Sequence, residues 1–113
     1  MINEAYLTVG GITPDQGAII TMGRERAANI LRLNQSAFYL LETNYDHWEP
    51  VPSYDDRRTP GRAHMDAIGT KGVDYAGMYG VLTQWPTFNH HTDFTIVYSA
   101  ANSSMYQTYI WPE

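Results

Sequence analysis

A chain of 113 residues, 43% hydrophobic and 17% charged, is long enough to bury one core and too short for two, and its formal charge of −5 makes nucleic acid a poor partner. The absence of cysteine removes disulfides, thiolate metal sites and a cysteine nucleophile from these residues, without fixing the redox compartment. No stretch approaches the roughly 18 apolar residues of a membrane span, and Met1 to Gly11 lacks the basic start and apolar core of a signal peptide.

Ala5 to Val9 and Gly17 to Thr21 are short apolar runs separated by Gly10-Gly11 and the turn-like Thr13-Pro14-Asp15-Gln16, which predicts a hairpin. Asn29 to Leu33 alternates as a third strand. Phe38 to Thr43, β-branched and aromatic, reads as a fourth after the Asn34-Gln35-Ser36 turn. Asn44 to Thr59 has no sustained period and reads as a long loop. Thr59-Pro60 is a helix-start signal, with the Thr59 hydroxyl as cap, and Gly69 stops that helix after Ile68. Asp74 can cap a second helix, whose Tyr75, Met78, Tyr79 and Leu82 share one face and which should stop near Trp85-Pro86. Phe94 to Ala100 and Met105 to Trp111 form a hairpin about Ala101-Asn102-Ser103-Ser104.

The order of four strands, two helices and two strands implies an α+β layer within one partial domain, residues 1–113. A strand such as Phe94-Thr95-Ile96-Val97-Tyr98 is apolar on both faces, yet two helices cover only one face of a sheet. Further chain or a second copy is needed to cover the other.

The densest polar information lies in Asn44-Tyr45-Asp46-His47-Trp48 and Asp55-Asp56-Arg57-Arg58. A carboxamide such as Asn44 offers two neutral N–H donors suited to a developing oxyanion, or it simply ends a strand by bonding its own backbone. Arg57 and Arg58 are permanent cations able to pair with Asp55, Asp56 or Asp46, to hold a substrate group, or to lower the pKa of a thiol. The alternative is a solvated loop whose ion pairs contribute under about 1 kcal/mol each. His47, His64, His90 and His91 show no metal-ligand spacing, because adjacent histidines on an extended segment point apart; neither a metal nor a cofactor is expected. Two sequons, at Asn34 and Asn102, permit glycosylation, against about one expected by chance from six Asn and sixteen Ser/Thr.

Glu42-Thr43-Asn44-Tyr45-Asp46-His47-Trp48 followed by Asp55-Asp56-Arg57-Arg58-Thr59 resembles the acid ceramidase and N-acylethanolamine-hydrolysing acid amidase family of cysteine N-terminal-nucleophile hydrolases, in the C-terminal part of the β-subunit. Weaker similarity runs through Gly10-Gly11, Gly17 to Thr21, Tyr79 to Leu82, Phe94 to Tyr98 and Tyr106 to Thr108. The resemblance implies an αββα sandwich completed by an upstream half, comprising an α-subunit and a segment that bears the nucleophile. It further implies a lysosomal amidase acting on N-acyl lipids at a membrane surface, with Asn44 as oxyanion donor and Arg57 as active-site arginine. Departures are the absent nucleophile with its neighbouring Arg and Asp, Met22-Gly23 where relatives carry Arg-Asn, and the missing cysteine pair near the end; that missing pair and the wording Asn44-Tyr45-Asp46-His47-Trp48 lean towards the acylethanolamine branch. Without its nucleophile this chain is expected to be inactive alone. The other reading is a non-catalytic product that binds acyl lipid or a partner chain.

Overall fold

The computed structural model describes residues 5–112 as two compact units that divide between Pro50 and Val51. In the first, β1 (Ala5–Gly10), β2 (Gly17–Met22) and β3 (Ala27–Arg32) form an antiparallel meander in the order β1-β2-β3. Its first turn is closed by the Gly11 N–H donating to the Gln16 carbonyl at 2.7 Å, with Asp15 at φ 65°, a left-handed conformation that aspartate tolerates better than most residues. The second is closed by Gly23 N–H to Arg26 carbonyl at 2.9 Å, beside a register irregularity at Thr21/Met22.

Strand alternation sorts the side chains of this sheet into two faces. Cross-strand neighbours Leu7, Ile20 and Ile30 share one face, and Leu7 and Ile30 are exposed there. Tyr6, Thr21 and Asn29 form a row on the other, next to Ile19. Ile19 and Thr21 are buried, and burying an isoleucine contributes ~1.5–3 kcal/mol.

The fourth strand expected at Phe38–Thr43 is not formed. After the turn at Asn34, marked by a lone bridge between Asn34 and Ala37, residues 38–43 run half-buried with no ladder. The composition suits an extended chain, but a strand also needs a partner alongside it, and none of the described strands pairs with residues 38–43. The α+β class therefore stands, with five strands among the described residues in place of six.

The second unit contains α1 (Arg58–Ile68), a 3-10 turn (Thr70–Gly72), α2 (Tyr75–Leu82) and the antiparallel hairpin β4 (Phe94–Tyr98) and β5 (Tyr106–Ile110). The start of α1 is capped by Asp56 and not by the Thr59 hydroxyl: Asp56 Oδ1 accepts from the Thr59 N–H at 2.9 Å. That amide holds the Asp56 carboxyl below the usual carboxylate range. Gly69 ends the helix at φ 63°, a conformation open to glycine, and its N–H donates to the Met65 carbonyl at 3.1 Å. Asp74 caps α2 as expected, accepting from the Gly77 N–H at 2.8 Å.

Helix α2 ends at Leu82, earlier than Trp85, and at its end the Thr83 backbone N–H and hydroxyl both donate to the Tyr79 carbonyl, at 3.0 and 2.7 Å. Met65, Val81 and Val97 are buried and form the apolar centre, and α2 packs on both α1 and β4. Around them Tyr75 stacks with Tyr79, Tyr79 meets Tyr109 at 4.9 Å between ring centres, and Phe88 meets Trp111 at 5.0 Å. The Tyr75 hydroxyl bonds that of Tyr109, which is the main cause pushing its pKa up to about 12.

The uncovered face expected from the strand pattern is present on this hairpin. Thr95 and Val97 are buried, whereas Phe94 (58% exposed) and its cross-strand partner Ile110 (74%) face outward with Tyr98 and Tyr106.

Candidate active-site segments

Asn44 lies in the first unit at the bend where the extended segment 38–43 ends, and it is exposed. The two residues that follow Tyr45 are fastened to the sheet. The Tyr6 hydroxyl donates to Asp46 Oδ1 at 3.0 Å, and His47 Nε2 meets Asn29 Oδ1 at 2.8 Å, which makes that ring nitrogen the donor. Tyr6 and Asn29 belong to the row that flanks buried Thr21, so one cross-strand row anchors Asp46 and His47 together. A Glu49 N–H to Asp46 carbonyl bond at 3.0 Å tightens the turn, and the His47 and Trp48 rings meet edge to face at 4.9 Å. The bend at Asn44 is thereby held two residues from a fixed point.

Arg57 lies in the second unit at the threshold of α1. Its Nε and Nη2 donate to Asp55 Oδ1 and Oδ2 at 2.9 and 3.1 Å, a two-pronged pair that fixes the plane of the guanidinium. Both side chains are partly exposed, so the pair orients the arginine more than it stabilises the fold. Tyr54, Asp55 and Arg57 line an open cleft of ≈ 580 Å³ together with Asn89, His91 and Asp93 from the loop leading into β4.

That loop is stiffened from within. Asn89 Oδ1 accepts from the His91 N–H at 2.8 Å, its Nδ2 donates to the Pro86 carbonyl at 3.0 Å, and its own N–H donates to Thr92 Oγ1 at 3.0 Å. The His90 and His91 rings lie 4.0 Å apart between centres, contrary to the expectation that they diverge. The segment is a turn and not a strand, so the alternation that would separate them does not apply. Among the described residues no three His, Cys, Asp or Glu side chains are grouped to hold a metal ion.

Asn44 and Arg57 thus each stand in an ordered setting within their own unit. The anchors Tyr6 and Asn29, and the cleft residues Tyr54, Asn89 and Asp93, escape a sequence reading because partners up to forty positions apart leave no local signature.

No family model matches the chain. The N-acylethanolamine-hydrolyzing acid amidase of Rattus norvegicus is 41% identical over 112 residues, which are 97% of this chain and 31% of that protein. The acid ceramidase of Homo sapiens is 30% identical over the same share of the chain and 28% of its own length. The chain is a homologue of the N-acylethanolamine-hydrolyzing acid amidases and acid ceramidases. It spans about a third of the length of these curated relatives, as the C-terminal part of such an enzyme would. A solved structure described as the Caenorhabditis elegans N-acylethanolamine-hydrolyzing acid amidase ortholog matches at a TM-score of 0.82 and 32% identity, covering 97% of this chain and 49% of that one. The fold is accordingly part of an N-terminal-nucleophile hydrolase, with two antiparallel sheets and two helices. No helix among the described residues is long and apolar enough to cross a membrane.

Proposed function

We propose that this chain forms the C-terminal portion of a lysosomal acid amidase that cleaves the amide bond of N-acylethanolamines, releasing fatty acid and amine, with ceramide as the alternative substrate. The observation that carries the reading is the 41% identity to a curated N-acylethanolamine-hydrolyzing acid amidase across 97% of the chain, against 30% to an acid ceramidase.

In this reading the nucleophile is a cysteine thiolate supplied by an upstream segment, with its free α-amino group as base. The thiolate adds to the amide carbonyl, the amine departs with the proton, and water releases the acid. Asn44 donates its carboxamide N–H to the oxyanion of the tetrahedral intermediate; the anchored bend supports this role, since a donor that need not reorganise contributes roughly 3 kcal/mol to such a step. Arg57, its plane set by Asp55, lends positive potential that favours the thiolate.

The test is hydrolysis of a fluorogenic N-acyl amide at acid pH by the enzyme completed with its upstream half. Asn44→Ala and Arg57→Ala should each lower turnover at least about tenfold. Full turnover in either variant removes that residue from the site.

A further inference from the structure

A sequon is ordinarily judged by its spelling, and spelling alone leaves these two near chance. Their geometry separates them from it. At Asn34 the Ala37 N–H donates to the asparagine carbonyl at 3.2 Å, closing a four-residue turn. Within that turn the Ser36 N–H donates to Asn34 Oδ1 at 2.9 Å and the Ser36 hydroxyl donates to the same oxygen at 2.6 Å. Asn102 repeats the arrangement bond for bond. The Met105 N–H donates to its carbonyl at 2.9 Å, the Ser104 N–H to its Oδ1 at 3.2 Å, and the Ser104 hydroxyl to that oxygen at 2.6 Å.

Asn34, Ser36, Asn102 and Ser104 are all exposed. Asn89 is an internal contrast: its Oδ1 is held by the backbone in the same way, but its Nδ2 is committed to the Pro86 carbonyl and a histidine stands two residues on. In the two sequons both donors sit on the amide oxygen, which fixes the plane of the carboxamide and leaves Nδ2 outside these bonds, on an exposed asparagine that opens the turn. The hydroxyl that modification requires is already in contact with the acceptor side chain.

We infer that Asn34 and Asn102 are both N-glycosylated. The chemistry is transfer from an oligosaccharide carried on a lipid pyrophosphate. Asn Nδ2 attacks the anomeric carbon, the bond from that carbon to the pyrophosphate oxygen breaks, the lipid pyrophosphate leaves with the electron pair, and one amide proton passes to a base of the transferase. Two consequences follow for the surface: the turn after β3 and the tip of the β4–β5 hairpin face solvent in the working protein, and any covering segment must stop short of both. The inference rests on the secretory route implied by the lysosomal reading above, and the experiment separates the two.

The protein in its full natural length is translated in the presence of microsomes. Protection from added protease reports translocation, and peptide mapping after enzymatic glycan release reports conversion of each acceptor Asn to Asp. Protection with conversion at both 34 and 102 is expected; Ser36→Thr and Ser104→Thr should retain the glycans, and Ser36→Ala and Ser104→Ala should each lose one. A protected protein with either position unconverted overturns the assignment of that site and leaves the amidase reading standing. An unprotected protein overturns the secretory route and this inference with it, whatever the amidase assay shows.

Discussion

Two hydrogen bonds fasten the segment after Asn44 to its sheet, and a single atom tests one of them. Tyr6→Phe removes the donor to Asp46 while keeping the ring in place, a change worth about 1 kcal/mol of stability. If the bond positions the bend at Asn44, the completed amidase should lose turnover severalfold with KM nearly unchanged and the cooperative unfolding transition intact. Unaltered turnover would make the bond structural only. Asp56 makes a prediction in pH. Its pKa is lowered in the folded state, so its contribution is complete above the usual carboxylate range near 4 and is lost as pH falls through the depressed value. Asp56→Ala should therefore lower Tm at neutral pH, with the gap to the unaltered protein closing as the solution becomes strongly acid. Asp56→Asn, which keeps an acceptor without a charge, should remove most of that pH dependence. At this scale the sequence was half legible. The Asp55-Asp56-Arg57-Arg58-Thr59 run announced a cap and an ion pair, but both Asp56 and Thr59 satisfy the rule for a cap, and only the geometry selects the carboxylate.

Helix α2 shows how a local rule and a tertiary contact diverge. Its sequence Tyr75-Ala76-Gly77-Met78-Tyr79-Gly80-Val81-Leu82 contains two glycines that propensity counts as faults of equal size. A Cβ at Gly77 would lie 1.8 Å from the Gly72 carbonyl oxygen, because the 3-10 turn crosses the helix start there, whereas a Cβ at Gly80 would meet nothing within 4 Å. Gly80→Ala should stabilise by roughly 1 kcal/mol, and Gly77→Ala should destabilise. Thermal unfolding of the two variants under one condition checks the pair, and equal signs would refute the close approach. The elements that were legible share one property: α1, α2 and the β4–β5 hairpin are declared by caps, glycines and turns within a few residues of their ends. Residues 38–43 are the counter-case. Their composition satisfies every local requirement of a strand, and what is missing is a partner, which no local pattern encodes.

At the scale of the whole molecule, the chain's composition and its likeness to longer enzymes point the same way. It has no cysteine, and it spans about a third of curated relatives whose names describe amide hydrolysis. The chain alone should give no hydrolysis of an N-acyl amide above the rate in buffer, and addition of an upstream segment that begins with the nucleophile should restore it. Turnover by the isolated chain would overturn the assigned chemistry. The α+β class and the exposed hairpin face were readable because apolar residues at period two on both faces of a strand demand two covers. How the chain divides at Pro50 was not, since the loop from Asn44 to Thr59 reads as one continuous polar stretch.

The two sheets are narrow, and that has a consequence for handling the protein. With three strands in one and two in the other, β1, β3, β4 and β5 each present an edge with no strand paired to it among the described residues. Backbone N–H and C=O groups along such edges pair readily with any extended chain nearby, and in a concentrated sample the nearest one is another copy. Refolding yield for the chain on its own should therefore fall as concentration rises, with aggregates that bind amyloid dyes, and dilution should recover it.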